Sequence, residues 1–331
     1  MPQKYNTAFF EKDEQIYKQK FEFLYKDVQD TRETMYIGFN INEQFFSPLG
    51  AEITSILETN PDLSFELFVF VDTCNEQNKE NLQKTAQKYK CNIRLYVVDM
   101  TIFQGFHIKT HRFSRVAYIR IAMPWILRHY TKKYAYFDSD MLCIGSLRDF
   151  WNIDLGDKAI GALVYDTPER VEYLQMKQNV YFSDGVMLIN VDAWIQQKVT
   201  EQAFAYQGVD PNRFKGHDQD VMNLVMEGNI KPIQHLFYHL DKNFSITEGC
   251  LIHYSGRDKP WEIVLDEDDE KWRHYLDISF WPSMPNPMPP KKPEYYHSFK
   301  KLAKVYHKKG QILKQWECLF WYSVLKIQNR L

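Results

Sequence analysis

The chain has 331 residues, of which 44% are hydrophobic and 25% charged, and its formal net charge is −2. A chain of this length can bury a large core, as one large domain or two small ones. The small net charge argues against a nucleic-acid-binding protein as a whole. No stretch approaches the roughly 18 uninterrupted apolar residues that indicate a membrane span.

Two further features bear on the compartment. The five cysteines are scattered without a Cys-x-x-Cys spacing, and an odd number without a framework indicates reduced thiols. The N-terminus lacks the basic-then-apolar order of a secretion signal. The sequence therefore predicts a soluble, cytoplasmic protein.

The first part of the chain alternates between strand and helix patterns. Residues 1–33 combine charged residues with spaced aromatic ones, which predicts one or two amphipathic helices packed on the following domain. Beyond them we predict strands at 35–41, 63–72, 92–100 and 134–137, and helices at 49–60, 75–90 and 114–130. This order is typical of a sheet covered by helices on both faces, which binds ligands at the carboxyl ends of its strands. Asp72 and Asp138 fall at that edge.

The second part of the chain is less regular. It predicts strands at 158–166, 180–192 and 250–256, and helices at 193–207 and 218–228. Six prolines within 281–293 predict a stiff connector. The resulting division is an N-terminal helical extension at 1–33, a catalytic domain at 34–280, the connector, and a C-terminal tail at 294–331.

The C-terminal tail carries eight Lys or Arg from His297 onward against the single acid Glu317, interleaved with apolar and aromatic residues. One interpretation is a basic amphipathic helix that docks on an anionic membrane surface. The other is a helix packed on the domain, and the sequence leaves both open. Under the first interpretation, the protein is peripheral on the cytoplasmic face of the inner membrane.

Asp138 and Asp140 follow a buried strand with only Ser139 between them. Alternate side chains of an extended backbone face the same way, so the two carboxylates can converge. A hard divalent cation such as Mg²⁺ or Mn²⁺ would remove their repulsion. The alternative is a turn in which one aspartate caps a backbone group and the other is solvated.

His253 opens a second motif, with Gly256 and Lys259 just after it. A lone histidine in an apolar strand is usually a hydrogen-bonded core residue. A glycine that admits a phosphate to the backbone, followed by a lysine, instead favours anion binding. With its imidazole as third metal ligand, His253 would bring the cation and Lys259 to the two sides of a diphosphate.

Two motifs lie between these. Asp218 and Gln219 open a predicted helix, where the carboxylate either caps the N-terminus or serves the site. Asp184 and Gly185 interrupt an apolar strand, and a glycine there indicates a bulge or a close approach by a ligand.

The order of these four motifs resembles the family-8 retaining glycosyltransferases, and is similar to the bacterial lipooligosaccharide and lipopolysaccharide galactosyl- and glucosyltransferases. The resemblance covers about residues 35–262. It implies a GT-A fold, a Rossmann-like mixed central sheet flanked by helices in the α/β class. It also implies a UDP-sugar donor, Mn²⁺ or Mg²⁺ as cofactor, and transfer of galactose or glucose to a saccharide or glycolipid acceptor.

The resemblance assigns roles residue by residue. It implies that Asp138, Asp140 and His253 are metal ligands, and that Gln219, Asp218 and the atypical Asp184 line the reacting sugar. The residues expected to contact the donor nucleotide or its sugar are Asn42, Gln44, Phe45, Arg120, Ser139, Gly256 and Lys259.

Two stretches depart from the family pattern. Residues 42–45 keep polarity and an aromatic ring but lack the usual first aspartate, which bears on the nucleotide contacts. The second is Ser183-Asp184-Gly185, where Asn-Ala-Gly or Asn-Ser-Gly is usual, and this departure bears on the identity of the hexose. Two other functions stay open on the sequence alone: a metal-dependent nucleotidyltransferase, and an inactive sugar-nucleotide-binding protein.

Overall fold

The computed structural model describes residues 4–108, 114–233, 249–256, 258–282, 284 and 288–329. Its strands are β1 (Tyr17–Leu24), β2 (Glu33–Ile41), β3 (Leu63–Val71), β4 (Asn92–Val98), β5 (Lys133–Phe137), β6 (Met141–Cys143), β7 (Ile160–Tyr165), β8 (Tyr181–Asn190), β9 (Ile230–Pro232) and β10 (Leu251–His253).

The helices lie between and after these strands. They are α1 (Thr7–Phe10), α2 (Phe46–Thr59), α3 (Glu76–Tyr89), α4 (Met123–Leu127), α5 (Arg148–Trp151), α6 (Pro168–Leu174), α7 (Val191–Gln196), α8 (Val199–Phe204), α9 (Asp218–Val225), α10 (Glu267–Ile278), α11 (Tyr296–Lys308) and α12 (Ile312–Gln328). A 3-10 helix, Arg115–Ile121, precedes α4. Among the described residues, no helix has the length and apolar content needed to cross a bilayer.

Within the described residues the central sheet has eight strands in the order β1-β4-β3-β2-β5-β8-β7-β9. The neighbours from β4 to β5 run parallel, whereas β1 and β8 pair antiparallel with β4 and β5. The predicted mixed sheet is therefore confirmed. Because β3, β2 and β5 are parallel, their carboxyl ends meet at one edge, where Asp72 and Asp138 lie.

Both faces of the sheet are covered. Successive side chains of a strand point to opposite faces, so Ala135 and Phe137 of β5 pack into one buried cluster, with α2, whereas Tyr134 and Tyr136 pack into the other, with the 3-10 helix and α4. β6 and β10 form a separate two-stranded sheet. β6 packs against α2, with Ser55 of that helix accepting a hydrogen bond from the Cys143 N–H.

The sequence predicts one or two helices over residues 1–33, but residues Tyr17–Leu24 form the strand β1, so this prediction is wrong for them. Tyr17, Phe21 and Phe23 alternate with the polar Lys18, Lys20 and Glu22, which is a period of two, and Phe21 and Phe23 pack against the buried cluster on one face of the sheet. β1 is thus an edge strand paired with β4, and the helical part of the described segment is the single turn α1 followed by a 3-10 helix, Asp13–Gln15.

The C-terminal tail forms the two helices α11 and α12. Phe299 and Leu302 of α11 are buried with Ile263 of the main body, so the packed interpretation holds for this helix. The predicted connector is described only in part, since 283 and 285–287 lie outside the described residues, as do residues 1–3 and 330–331 of the predicted terminal segments. At its start, Trp281 packs on Gly50 of α2, where an added Cβ would lie 2.3 Å from the Trp281 ring.

Candidate active site

The site is built around the turn that joins β5 to β6. The Asp138 N–H donates to the Gly185 carbonyl at 2.8 Å, which extends the β5–β8 ladder by one residue. The Asp140 carbonyl accepts from the Tyr254 N–H at 2.9 Å, which extends the β6–β10 pairing. The two aspartates are therefore fixed by two different sheets, and His253 is delivered beside them by β10.

Asp138, Asp140 and His253 converge. His253 Nε2 lies 3.0 Å from Asp140 Oδ1 and 3.8 Å from Asp138 Oδ2. One ligand atom from each of the three residues lies within 4.8 Å of the others. Two carboxylates and an imidazole at this spacing form a donor set suited to a divalent cation.

Gly185 keeps this cluster open. A Cβ at this position would lie 2.8 Å from His253 Cε1 and 2.9 Å from Asp138 Oδ2, closer than real contacts allow. The absence of a side chain here lets the strand backbone approach both groups. The residues present therefore fit a divalent cation, in the nature of their donor atoms and in the space left around them.

Lys259 lies on the other side of Asp140. Its Nζ is 2.6 Å from Asp140 Oδ2 and also donates to the Tyr254 carbonyl. Burial alone would raise the pKa of Asp140, but His253 and Lys259 outweigh it and the pKa is lowered. Gly256 is exposed, and no heavy atom lies within 4 Å of the position its Cβ would take. The backbone there is open to a ligand.

Arg120 is a buried cation that joins three carboxylates. Its guanidinium nitrogens lie 2.8 Å from Asp138 Oδ1, 2.9 Å from Asp184 Oδ2 and 3.1 Å from Asp218 Oδ2. It also stacks over the Tyr136 ring at 4.6 Å. Burial lowers the pKa of Arg120, yet these surrounding negative groups raise it well above its usual value. No pattern in the sequence indicates this three-way contact.

Asp184 and Asp218 are both nearly sealed from solvent, each 5% exposed. Their Oδ2 atoms lie within ion-pair distance of Arg120, but neither Oδ2 atom accepts a hydrogen bond from any described residue at an acceptable angle. Burial raises the pKa of Asp184 well above its usual range; Arg120 opposes this, and the nearby Asp218 and Asp138 add to it.

α9 presents Asp218 and Gln219 to the site. The residue that caps this helix is His217, and Asp220 accepts from the Gly216 N–H at 2.7 Å, so Asp218 does not cap the N-terminus. Gln219 Nε2 donates to Tyr165 Oη at 2.7 Å and to the Phe182 carbonyl at 3.1 Å. The structure thus joins Asp218 to Asp184 of β8 through Arg120, and Gln219 to Phe182 of the same strand.

The loop after β2 reaches the same edge. Asn42 accepts from the Gln44 N–H at 3.1 Å, and Phe45 packs edge-on against Trp261 with ring centroids 5.9 Å apart. Trp261 in turn lies 5.7 Å from Lys259 Nζ. Gln44 is exposed, and Ser139 is half-buried between the two aspartates. All predicted site residues therefore lie at or beside the same sheet edge.

Sequence reasoning missed Tyr136, whose hydroxyl donates to Asp138 Oδ1 at 2.7 Å. The signal was present, because residues two apart in a strand face the same side. It also missed Asn223, which exchanges two hydrogen bonds with the backbone of Phe182 and ties α9 to β8. Nothing local to Asn223 in the sequence indicates this partner.

Comparisons with known proteins agree with this architecture. A galactosyltransferase, LgtC, solved with donor and acceptor sugar analogs, matches with a TM-score of 0.64 at 22% identity, over 74% of this chain and 96% of that one. This likeness shows the GT-A fold. The model of glycosyl transferase family 8 matches residues 36–263, more than half of the chain. The protein belongs to this family, and it is a glycosyltransferase.

Two relatives of known activity are similar over most of their length. The lipopolysaccharide 1,2-glucosyltransferase of Escherichia coli is 27% identical over 85% of this chain and 88% of the relative. The lipopolysaccharide 1,3-galactosyltransferase of Salmonella typhimurium is 22% identical over 77% of this chain and 80% of the relative. The names of the two relatives differ in the hexose that they specify.

Proposed function

We propose that the protein is a metal-dependent, retaining hexosyltransferase that moves galactose or glucose from a UDP-sugar to a saccharide acceptor of lipopolysaccharide or lipooligosaccharide. The observation that carries this proposal is the convergence of Asp138, Asp140 and His253 within 4.8 Å, beside Lys259. The acceptor class is supported by the relatives, whose names specify lipopolysaccharide.

Loss of UDP from the sugar leaves negative charge on a diphosphate. Asp138, Asp140 and His253 would hold Mn²⁺ or Mg²⁺, which supplies charge neutralisation to that leaving group when bound. Lys259 adds a second positive charge from the opposite side of Asp140, without any proton transfer. Gly256, with its open backbone, admits the phosphates.

The donor sugar is expected between Arg120 and α9. Arg120 holds Asp184 and Asp218 in place through its ion pairs, and Gln219 is oriented by Tyr165 and the Phe182 carbonyl. Negative and amide oxygens around the anomeric carbon stabilise the positive charge that develops there.

Retention of configuration requires either a covalent intermediate or attack by the acceptor on the face that UDP leaves. Asp184 is buried and its Oδ2 is paired with Arg120 at 2.9 Å, which makes it a weak nucleophile and favours same-face attack and a sugar-contacting role for Asp184. In Asp184→Asn we expect a changed ranking of UDP-sugars. An unchanged kcat and an unchanged ranking would remove Asp184 from the site.

The direct test is UDP release from a panel of UDP-sugars with Mn²⁺, compared with the same panel after addition of EDTA. We expect release from UDP-galactose or UDP-glucose that depends on the metal and is lost in Asp140→Asn. Binding of UDP-sugars without release, in the presence of lipopolysaccharide acceptors, would instead indicate an inactive sugar-nucleotide-binding protein.

We also propose that α12 attaches the protein to an anionic membrane surface, on the cytoplasmic face of the inner membrane. Leu313, Trp316 and Phe320 are spaced for one helix face and are 87%, 65% and 61% exposed. Lysines on α11 and α12 flank them, and lysine beside exposed aromatic side chains is the pattern of interfacial helices.

Removal of the whole tail is a poor test, because α11 packs on the main body. The sharper test replaces Leu313, Trp316 and Phe320 together by serine and measures sedimentation with phosphatidylglycerol vesicles. The matched control replaces Leu24 and Val28, which are also exposed, by serine. We expect loss of vesicle binding in the first variant only. Equal sedimentation of both variants, or equal binding to phosphatidylcholine alone, would contradict the proposal.

A further inference from the structure

Glu52 of α2 is a buried acid with no part in the site described above. It is 0% exposed, and neither carboxylate oxygen has a hydrogen-bond partner among the described residues. A buried polar group without a partner costs about 1–3 kcal/mol, so an isolated acid of this kind calls for an explanation.

The direction in which Glu52 points follows from its neighbours on α2. Ser55 accepts from the Cys143 N–H at 3.0 Å, and Thr59 Oγ1 lies 3.4 Å from the Cys143 carbonyl. These two residues therefore face the edge of β6 that β10 leaves free. Glu52 lies one turn before Ser55, on the same helix face, and so lies towards Met141 and the turn at 138–140.

The electrostatic surroundings of Glu52 agree with this position. Burial raises its pKa well above the usual value, and Asp140 and Asp138 are the charged groups that raise it further, while the Met141 N–H acts in the opposite direction. A carboxyl at this position can accept a hydrogen bond from the Met141 N–H, which points to the same side of β6 as the Cys143 N–H.

We propose that Glu52 is a positioning residue for the cation site, supporting Met141 and the turn at 138–140 from α2. Groups behind metal ligands orient those ligands, and their loss weakens metal binding by about 10- to 100-fold. The inference rests on the proposed function, because it gives Glu52 a part in the cation site proposed there.

The test measures Mn²⁺ binding to the full-length protein by electron paramagnetic resonance, without any sugar nucleotide, together with the thermal unfolding temperature. Glu52→Met removes the polar group at similar volume, and Glu52→Gln keeps a donor and an acceptor. Ser55→Ala is the matched control, because it removes a hydrogen bond from the same helix to the same strand, two residues further from Asp140.

We expect Glu52→Met to weaken the Mn²⁺ Kd by about 10- to 100-fold without lowering the unfolding temperature. Glu52→Gln should bind Mn²⁺ within about threefold of the wild type, since the amide has the same size as the carboxyl and keeps an acceptor for the Met141 N–H. Ser55→Ala should lower the unfolding temperature and leave the Kd unchanged.

Unchanged Mn²⁺ binding in folded Glu52→Met would overturn the inference and leave the proposed function intact. Should Glu52→Met not fold, Glu52→Asp decides, because it withdraws the carboxyl by one methylene group: a weaker Kd supports the inference and an unchanged Kd overturns it. A wild-type protein that binds no Mn²⁺ would overturn the proposed metal site itself, and this inference with it.

Discussion

Gly185 is the residue whose missing side chain matters most to the site. In Gly185→Ala the new methyl group would lie 2.8 Å from His253 Cε1 and 2.9 Å from Asp138 Oδ2, so these two side chains must separate. We expect the rate of metal-dependent UDP release to fall by about 100-fold or more, because small displacements of reacting groups have effects of that size. Circular dichroism should show an unchanged fold.

Gly161 provides a matched control for this substitution. It lies on β7 of the same sheet, and its added Cβ would lie 2.8 Å from Leu155 Cδ2 and 3.1 Å from Ile233 Cδ1, both ends of flexible side chains. Gly161→Ala should lower the unfolding temperature but keep most of the activity. Equal loss of activity in both variants would mean that general strain, rather than the ligand cluster, explains the Gly185 result.

The thiols give a second prediction at the residue scale. Burial raises the pKa of Cys74, Cys91 and Cys143 to about 12. At pH 8 their thiolate fraction is then about a thousandfold below that of an ordinary thiol of pKa about 8.5. We expect slow reaction with a disulfide reagent in the native state, accelerating as the pH rises, and rapid reaction of all five thiols in urea. A rapidly reacting native thiol would contradict this.

The site residues that could be predicted are those that belong to a short motif in the sequence, and the contacts that could not are those between distant segments. Asp138 and Asp140 follow a recognisable strand, and His253 and Lys259 share one short motif, so sequence placed them at one edge. The contact of Arg120 with Asp184 joins residues 64 positions apart and depends on the pairing of β5 with β8. Such contacts follow from sheet register, which no single segment specifies.

At the scale of elements, β1 shows how a short strand is mistaken for a helix. Its charged residues and spaced aromatics suit an amphipathic helix when they are counted, but their order has a period of two. The strand is completed by pairing with β4, and Arg94 of β4 lies 2.9 Å from Glu22. The helices α2 and α3 and the buried strands β2 to β5 were predicted to within a few residues, because their patterns extend over many residues. The helix predicted over 114–130 is a 3-10 helix followed by α4, the one predicted over 193–207 is divided into α7 and α8, and α10 was not predicted.

α11 contacts the segment that carries Lys259. Ser298 donates a hydrogen bond to the carboxylate of Asp258, and Lys301 Nζ lies 2.6 Å from the same carboxylate. Asp258 directly precedes Lys259 in the chain. Because Ser298 is buried, Ser298→Ala should lower the free energy of unfolding by about 1–2 kcal/mol. We expect the KM for the donor to rise about twofold to fivefold with kcat unchanged.

The control for this prediction is Ser323→Ala on α12, where an exposed hydroxyl donates to the Leu319 carbonyl of its own helix. It should leave KM unchanged. A donor KM that is unaffected by Ser298→Ala would show that α11 covers the main body without acting on Lys259.

At the scale of the whole molecule, the site is assembled from segments spread over most of the chain. The sheet brings the loop after β2, the 3-10 helix, the β5–β6 turn, β8 and α9 to one edge, and β10 adds His253 from the small second sheet. The order of motifs predicted this fold class and its ligand-binding edge. No motif indicates the role of the C-terminal tail, because packing on the main body and attachment to lipid require similar amphipathic sequences.

The measurement that tests the central claim most directly is calorimetry of UDP binding with and without Mn²⁺, in the wild type and in Asp140→Asn. If the carboxylates and His253 hold a cation that meets the diphosphate, Mn²⁺ should strengthen UDP binding by about tenfold or more, equivalent to about 1.4 kcal/mol, in the wild type only. Equal UDP affinity with and without Mn²⁺ in the wild type would contradict the account.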